Sequence, residues 1–179
     1  MGLDDRELVS KAKAGDRKAF DELVRNNRDK MFALIYRMTG DRETALDLMQ
    51  DTFFTAYKEL SRFRQEANFS SWLYRVASNK TLNYLKRRKI LSFLPLARLQ
   101  GSEPTVEMES SIENTEVSAA LLKRVDELPA KQKLIFNLRY YQELSFVEIA
   151  RILKKSESTV KTNYQKAIEK LRLSLKEWR

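Results

Sequence analysis

Ser158, Thr159, Lys161, Thr162, Gln165 and Lys166 recur at helical spacings along one short segment. Hydroxyls, an amide and two cations in that arrangement can hydrogen-bond base edges and hold phosphates. The intervening positions Val160, Tyr164, Ala167, Ile168 and Leu171 are apolar, so the segment reads as an amphipathic helix. Just upstream, Phe146, Ile149, Ala150 and Leu153 form a second stripe, opened by Ser145 and Glu148 in the S-x-x-E order of a capping box. A break from Lys154 to Glu157 separates the two. Small Ala150 sits where crossing helices approach closely. This is the layout of a DNA-reading helix-turn-helix, whose second helix enters the major groove. An ordinary helical hairpin with a solvated polar face is the alternative.

Three features of the first half carry other chemistry. Asp47, Gln50, Asp51, Phe54 and Lys58 share the outer face of a helix. Acids beside an outward aromatic, in a basic segment, suit a protein partner better than DNA. The polar stretch Arg64, Gln65, Glu66, Ala67 and Asn68 is bracketed by Phe63 and Phe69, and could form a small pocket. The helix that follows interleaves Trp72, Tyr74 and Tyr84 with Arg75, Lys80, Lys86, Arg87, Arg88 and Lys89, and sets Asn79 one turn from Asn83. Stacking rings, amides and cations together suit single-stranded DNA. Leu73, Val76 and Leu85 of the same helix read as core, and burial in the core is the alternative for Phe69 and Trp72.

The elements that must position these residues are helical throughout. Four Gly and three Pro leave few breakers in 179 residues, and strand alternation is hard to find. Asp16 can cap a helix through Phe20, Leu23, Val24, Met31, Leu34, Ile35 and Met38, which Gly40 closes. Asp41 opens the next, through Ala45, Leu48, Met49, Thr52, Phe53, Ala56, Tyr57 and Leu60. Phe69 to about Arg88 forms another. Helices follow over 116–127 and from Pro129 through Tyr141. The fold expected is all-α: two small helical domains, 1–90 and 117–179, joined by a flexible acidic linker over 91–116. Charge supports that division. The three segments carry net +6, +7 and −4 in the order first domain, second domain, linker, within a chain of net +9. Basic lobes of this kind commonly neutralise phosphate.

Several classes of chemistry are excluded. The chain has no cysteine and no histidine. Disulfides, Cys/His zinc sites, Cys nucleophiles and His general bases are therefore ruled out. No apolar run approaches the ~20 residues of a membrane span, and no Gly-rich phosphate loop is present. No cofactor and no bound metal are expected. A cytoplasmic location fits the cysteine-free composition. A dimeric helix-turn-helix repressor and a metal-dependent nuclease using acids such as Asp4-Asp5 or Asp47/Asp51 are the competing functional readings.

Motifs in order then narrow the choice. Gly15-Asp16 with Ala19-Phe20, the run Ala45 to Phe53, the run Phe69 to Asn79, Leu128-Pro129, Leu144-Ser145, Glu148-Ile149-Ala150 and Ser158-Thr159-Val160-Lys161 follow one another at fixed spacings. In this order they resemble a bacterial RNA polymerase sigma factor of the extracytoplasmic-function group. Departures from that family's pattern are Leu46 for a frequent acid, Gln65-Glu66 for Gly-Asp, Lys154 for a turn glycine, Lys155 for an apolar residue and Asn163 for a frequent arginine. The resemblance implies a protein that is not itself an enzyme. It implies that Asp47, Gln50, Asp51 and Phe54 dock on the clamp helices of the polymerase's largest subunit, with the flap as a second contact. It implies that residues 64–69 with Trp72, Arg75, Ser78, Asn79, Lys80, Asn83 and Lys86 capture the melted −10 element. Ser158, Thr159, Lys161, Thr162, Gln165 and Lys166 would read the −35 duplex. The acidic linker would thread through the polymerase toward the RNA path, with simple disorder as the alternative. An anti-sigma factor is a further expected partner.

Overall fold

The computed structural model describes residues 4–64, 68–92 and 116–176. They form eight α-helices in two compact units divided after Leu91, and no strand occurs among the described residues. Gln65, Glu66 and Ala67, and most of the expected linker, lie outside the described residues.

In the first unit, α1 (Asp5–Lys13), α2 (Arg17–Thr39) and α3 (Arg42–Glu59) are followed by a 3-10 turn (Leu60–Arg62) and then α4 (Phe69–Ser92). The boundaries follow from local chemistry. Asp16 accepts from the N–H groups of Lys18 and Ala19, and Asp41 accepts from Thr44 N–H at 2.7 Å. Each bond satisfies a donor that the helix start leaves orphaned. Gly40 adopts φ 71°, a left-handed conformation that glycine enters without a Cβ penalty, and ends α2 there. Phe20, Leu23, Met31, Leu34, Ile35 and Met38 of α2 are all buried, one stripe at helical spacing. Each such side chain contributes roughly 1.5–3 kcal/mol by leaving water. Asn27 interrupts this stripe without an unmet group. Its Nδ2 donates to Leu23 O at 2.8 Å, and its Oδ1 accepts from Ser70 Oγ at 2.6 Å, which ties α2 to the first turn of α4.

The second unit holds α5 (Glu116–Asp126), α6 (Ala130–Tyr140), α7 (Phe146–Leu153) and α8 (Glu157–Lys176). Val125, Leu128, Phe136, Ala167 and Leu171 form a buried cluster. Lys133 is nearly buried, and its ammonium meets Asp126 at 2.7 Å across α6 and α5. A charge so enclosed needs that partner.

α1 was not foreseen in the sequence, and two boundaries that bear on the sites differ from the sequence reading. α4 continues to Ser92, past Arg88 and into the expected linker. No Gly or Pro stands between Arg88 and Ser92 to stop the helix. α8 starts at Glu157, one residue early, because Ser156 supplies the cap: its Oγ accepts from Thr159 N–H at 3.1 Å.

Candidate nucleic-acid and polymerase interfaces

The helix-turn-helix is built from α7 and α8. At the start of α7, Ser145 Oγ accepts from Glu148 N–H at 3.2 Å, while the Glu148 carboxylate accepts from Ser145 N–H and Oγ, both at 2.7 Å. The box is reciprocal, and these hydrogen bonds to Ser145 hold the Glu148 carboxyl below its ordinary range. The turn closes through Lys154, at φ 52° and ψ 48°, with Lys155 N–H reaching Ala150 O at 3.0 Å. A lysine in the left-handed region costs roughly 1–2 kcal/mol relative to the glycine usual there. Ile149, Ala150 and Ile152 of α7 and Val160, Ala167 and Leu171 of α8 are buried. That apolar contact fixes the angle of α8 and turns its other side outward.

On that outer side Ser158, Thr159, Lys161, Thr162, Gln165 and Lys166 are all exposed. Lys161 is not idle. Its Nζ sits 2.6 Å from Glu157 Oε1 and 6.0 Å from the centroid of the Phe146 ring. Asn163, half-buried, donates to Thr159 O at 2.8 Å, so its amide is engaged along the helix. Ser156 and Glu157 shape this surface and were missed in the sequence. The serine one position before a glutamate was the available signal.

In the first unit Asp47, Gln50, Asp51 and Phe54 are exposed on one face of α3. Phe54 is 59 % exposed, with Lys58 Nζ 4.2 Å above its ring. Leu46 and Tyr57 extend the apolar part of this surface. Asp51 lies 3.8 Å from Lys80 of α4, which joins the edge of this patch to the neighbouring helix.

On α4, Arg75, Asn79, Asn83 and Lys86 follow one another at intervals of four, four and three, a single stripe. Asn79, Asn83 and Lys86 are exposed, and Arg75 and Lys80 are half-buried. Arg64 and Asn68 are exposed at the two described ends of the preceding segment. Asn68 Oδ1 caps α4 by accepting from Ser71 N–H at 2.7 Å.

The expected stacking platform is not there. Phe69, Trp72 and Tyr74 are buried, and Ser78 is wholly enclosed. Trp72 stacks on Phe63 at 4.8 Å and contacts Phe69 at 5.7 Å. Tyr84 Oη meets Thr44 Oγ1 at 3.2 Å instead of facing outward. Large rings gain most by leaving water, and on this helix they fall on the inward side. Burial also pushes the Tyr74 hydroxyl up to about 12. The outward face is left to amides and cations.

Among the described residues no cluster of three or more Asp or Glu is placed to hold a metal, and no helix is long and apolar enough to cross a membrane. Two helical units, one carrying a helix-turn-helix and the other an amide and cation stripe beside an acidic, apolar patch, define a modular DNA-binding regulator. Residues 23–90 match the family model for Sigma-70 region 2, and residues 118–171 match that for Sigma-70 region 4. The ECF RNA polymerase sigma factor SigW of Bacillus subtilis is 32 % identical over 182 residues, covering 96 % of this chain and 97 % of that protein. The RNA polymerase sigma-H factor of Pseudomonas aeruginosa is 29 % identical, covering 92 % and 90 %. Among solved structures, CnrH in complex with the cytosolic domain of CnrY aligns with a TM-score of 0.71 at 25 % identity, covering 97 % of each chain. The sigma factor RpoE in complex with the anti-sigma factor NepR from Bartonella quintana aligns with a TM-score of 0.74 at 20 % identity, covering 90 % of this chain and 99 % of that one. This chain belongs to the sigma-70 family of RNA polymerase sigma factors, in its extracytoplasmic-function group. It binds core RNA polymerase and directs promoter-specific transcription initiation.

Proposed function

We propose that the two units divide promoter recognition between them. α8 reads the −35 element as duplex, with Gln165 hydrogen-bonding a base edge, Lys161 and Lys166 holding phosphate, and Ser158, Thr159 and Thr162 filling in. An amide both donates and accepts, which matches adenine in the major groove. α4 and residues 64–69 capture the melted −10 strand. Asn79 and Asn83 face the bases, while Arg64, Arg75, Lys80 and Lys86 hold the backbone. Trp72, Phe69 and Ser78 support this surface from within. Asp47, Gln50, Asp51 and Phe54 dock on the polymerase clamp, and the second unit also touches the flap. Residues 91–116 act as the acidic linker between domains 1–90 and 117–179. The protein acts in the cytoplasm beside its polymerase, performs no catalytic step itself, and is held in check by an anti-sigma factor. Complexes with anti-sigma factors among its structural relatives support that last role.

The observation that carries this reading is the outward side of α8, where six polar residues stand exposed opposite a buried apolar seam. Each DNA site alone is weak, and joining them through the polymerase raises the effective concentration of the second. The test is a loop exchange. Replacing residues 64–69 with those of another family member changes the preferred −10 base and leaves −35 preference untouched. Unchanged −10 preference would remove this segment from recognition.

A further inference from the structure

α1 lies ahead of the segment matched to Sigma-70 region 2, which begins at residue 23. It is nevertheless built into the unit: Leu8 and Val9 are buried. Its last residue, Lys13, reaches across fifty positions of sequence, and its Nζ donates to Phe63 O at 2.9 Å. Phe63 is extended, at φ −64° and ψ 113°, where the chain leaves the 3-10 turn. A carbonyl at such a point has no helical partner of its own, and the ammonium supplies one. The ring of Phe63 carries the constraint onward. It stacks on Trp72 and meets Phe69 edge-on at 6.1 Å, and both rings belong to the first turn of α4. On the other side of that carbonyl stands exposed Arg64. One ammonium therefore fixes where the chain turns toward the −10 surface, and through three rings it fixes how α4 begins.

We propose that Lys13 is a positioning residue for capture of the −10 strand, acting from outside the matched region through the Phe63 carbonyl. It touches no DNA. Its bond sets the exit direction of Arg64 and the seating of α4, and so the register of Arg75, Asn79, Asn83 and Lys86 against the strand. This rests on α4 being the −10 surface.

The test uses holoenzyme assembled from core polymerase and the full chain. The probe is a fluorescent pool of single-stranded DNA randomised over a short stretch. Lys13→Met keeps the aliphatic stem and removes the donor. It weakens binding to the preferred strand about fivefold, the value of one ordinary hydrogen bond, and flattens base preference. Core affinity and −35 duplex affinity stay as in the parent, the thermal midpoint falls by no more than the roughly 4–8 °C that one hydrogen bond is worth in a unit of this size, and Lys13→Arg restores strand binding. Unchanged strand binding in Lys13→Met, with binding lost in Asn79→Ala, would overturn the proposal and leave the α4 reading standing. Loss of core affinity along with strand binding, with a fall in thermal midpoint well beyond one hydrogen bond's worth, would also overturn it, by making Lys13 a general support. Normal strand binding in Asn79→Ala would remove α4 as the −10 surface, and the proposal with it.

Discussion

Replacing Glu157 with glutamine tests how Lys161 is used. In the free protein the Lys161 ammonium lies 2.6 Å from the Glu157 carboxylate, and both side chains are about half exposed, at 52 % and 43 %. An exposed pair four apart on a helix contributes only about 0.3–0.5 kcal/mol. A carboxylate in the first helical turn adds roughly 0.3–1 kcal/mol through the helix dipole. Glu157→Gln therefore lowers stability by about 1.5 kcal/mol at most. Its effect on duplex binding is larger. In the parent the Glu157 carboxylate competes with phosphate for the Lys161 ammonium and offsets its charge; with the carboxylate gone the full charge is available to phosphate, and the logarithmic salt slope steepens by as much as about 0.9. Over the decade of salt from 1 M to 0.1 M that is roughly an eightfold gain in affinity, shared by all sequences. Fluorescence anisotropy of duplex DNA titrated with the full chain across a salt series reads both quantities. An unchanged slope would refute the phosphate role of Lys161. Weaker binding confined to one sequence position would refute it differently, making Glu157 a base acceptor.

Three other substitutions or conditions follow from the same geometry. Asp51→Arg weakens binding to core polymerase by about 2 kcal/mol, by placing a like charge in a complementary interface. Circular dichroism stays unchanged, because Asp51 is 67 % exposed and its contact with Lys80 at 3.8 Å is a weak surface pair. Gln165→Ala relaxes preference at one −35 position, whereas Lys166→Ala weakens all sequences alike and flattens the salt slope by about 0.9, as measured by selection from a randomised duplex pool. Tyr74 makes the first unit sensitive to alkali. Its hydroxyl is raised by burial from 10.0 to about 12, so the stability of the neutral form is fully present below 10.0 and is lost as pH rises toward 12. Tyr74→Phe removes that part of the alkaline loss, read as denaturant midpoint against pH.

Much of this architecture is legible in the chain because its signals are local. Asp16, Asp41 and Ser145 cap helices where their spacing to apolar runs says they do, and Gly40 stops α2. The aromatic face of α4 was misread because spacing gives a helix two sides without saying which is inner. Trp72, Tyr74 and Tyr84 alternate with cations, and only the positions of Phe63 and Thr44 from other segments settle that the rings turn inward. The Lys13 bond to Phe63 spans fifty residues and uses a backbone carbonyl, which no side-chain pattern marks. Ser156 is a milder case. Two serines two apart, with a glutamate between them, could each open α8, and the structure uses the first.

Run-off transcription with purified core polymerase tests the central claim most directly. Genomic promoter fragments that core alone leaves silent are transcribed with and without this chain. A discrete transcript appears only when the chain is present, and it is lost when Asp51→Arg protein is substituted. Silence on every fragment, despite tight binding of the chain to core, would contradict a role in promoter-specific initiation.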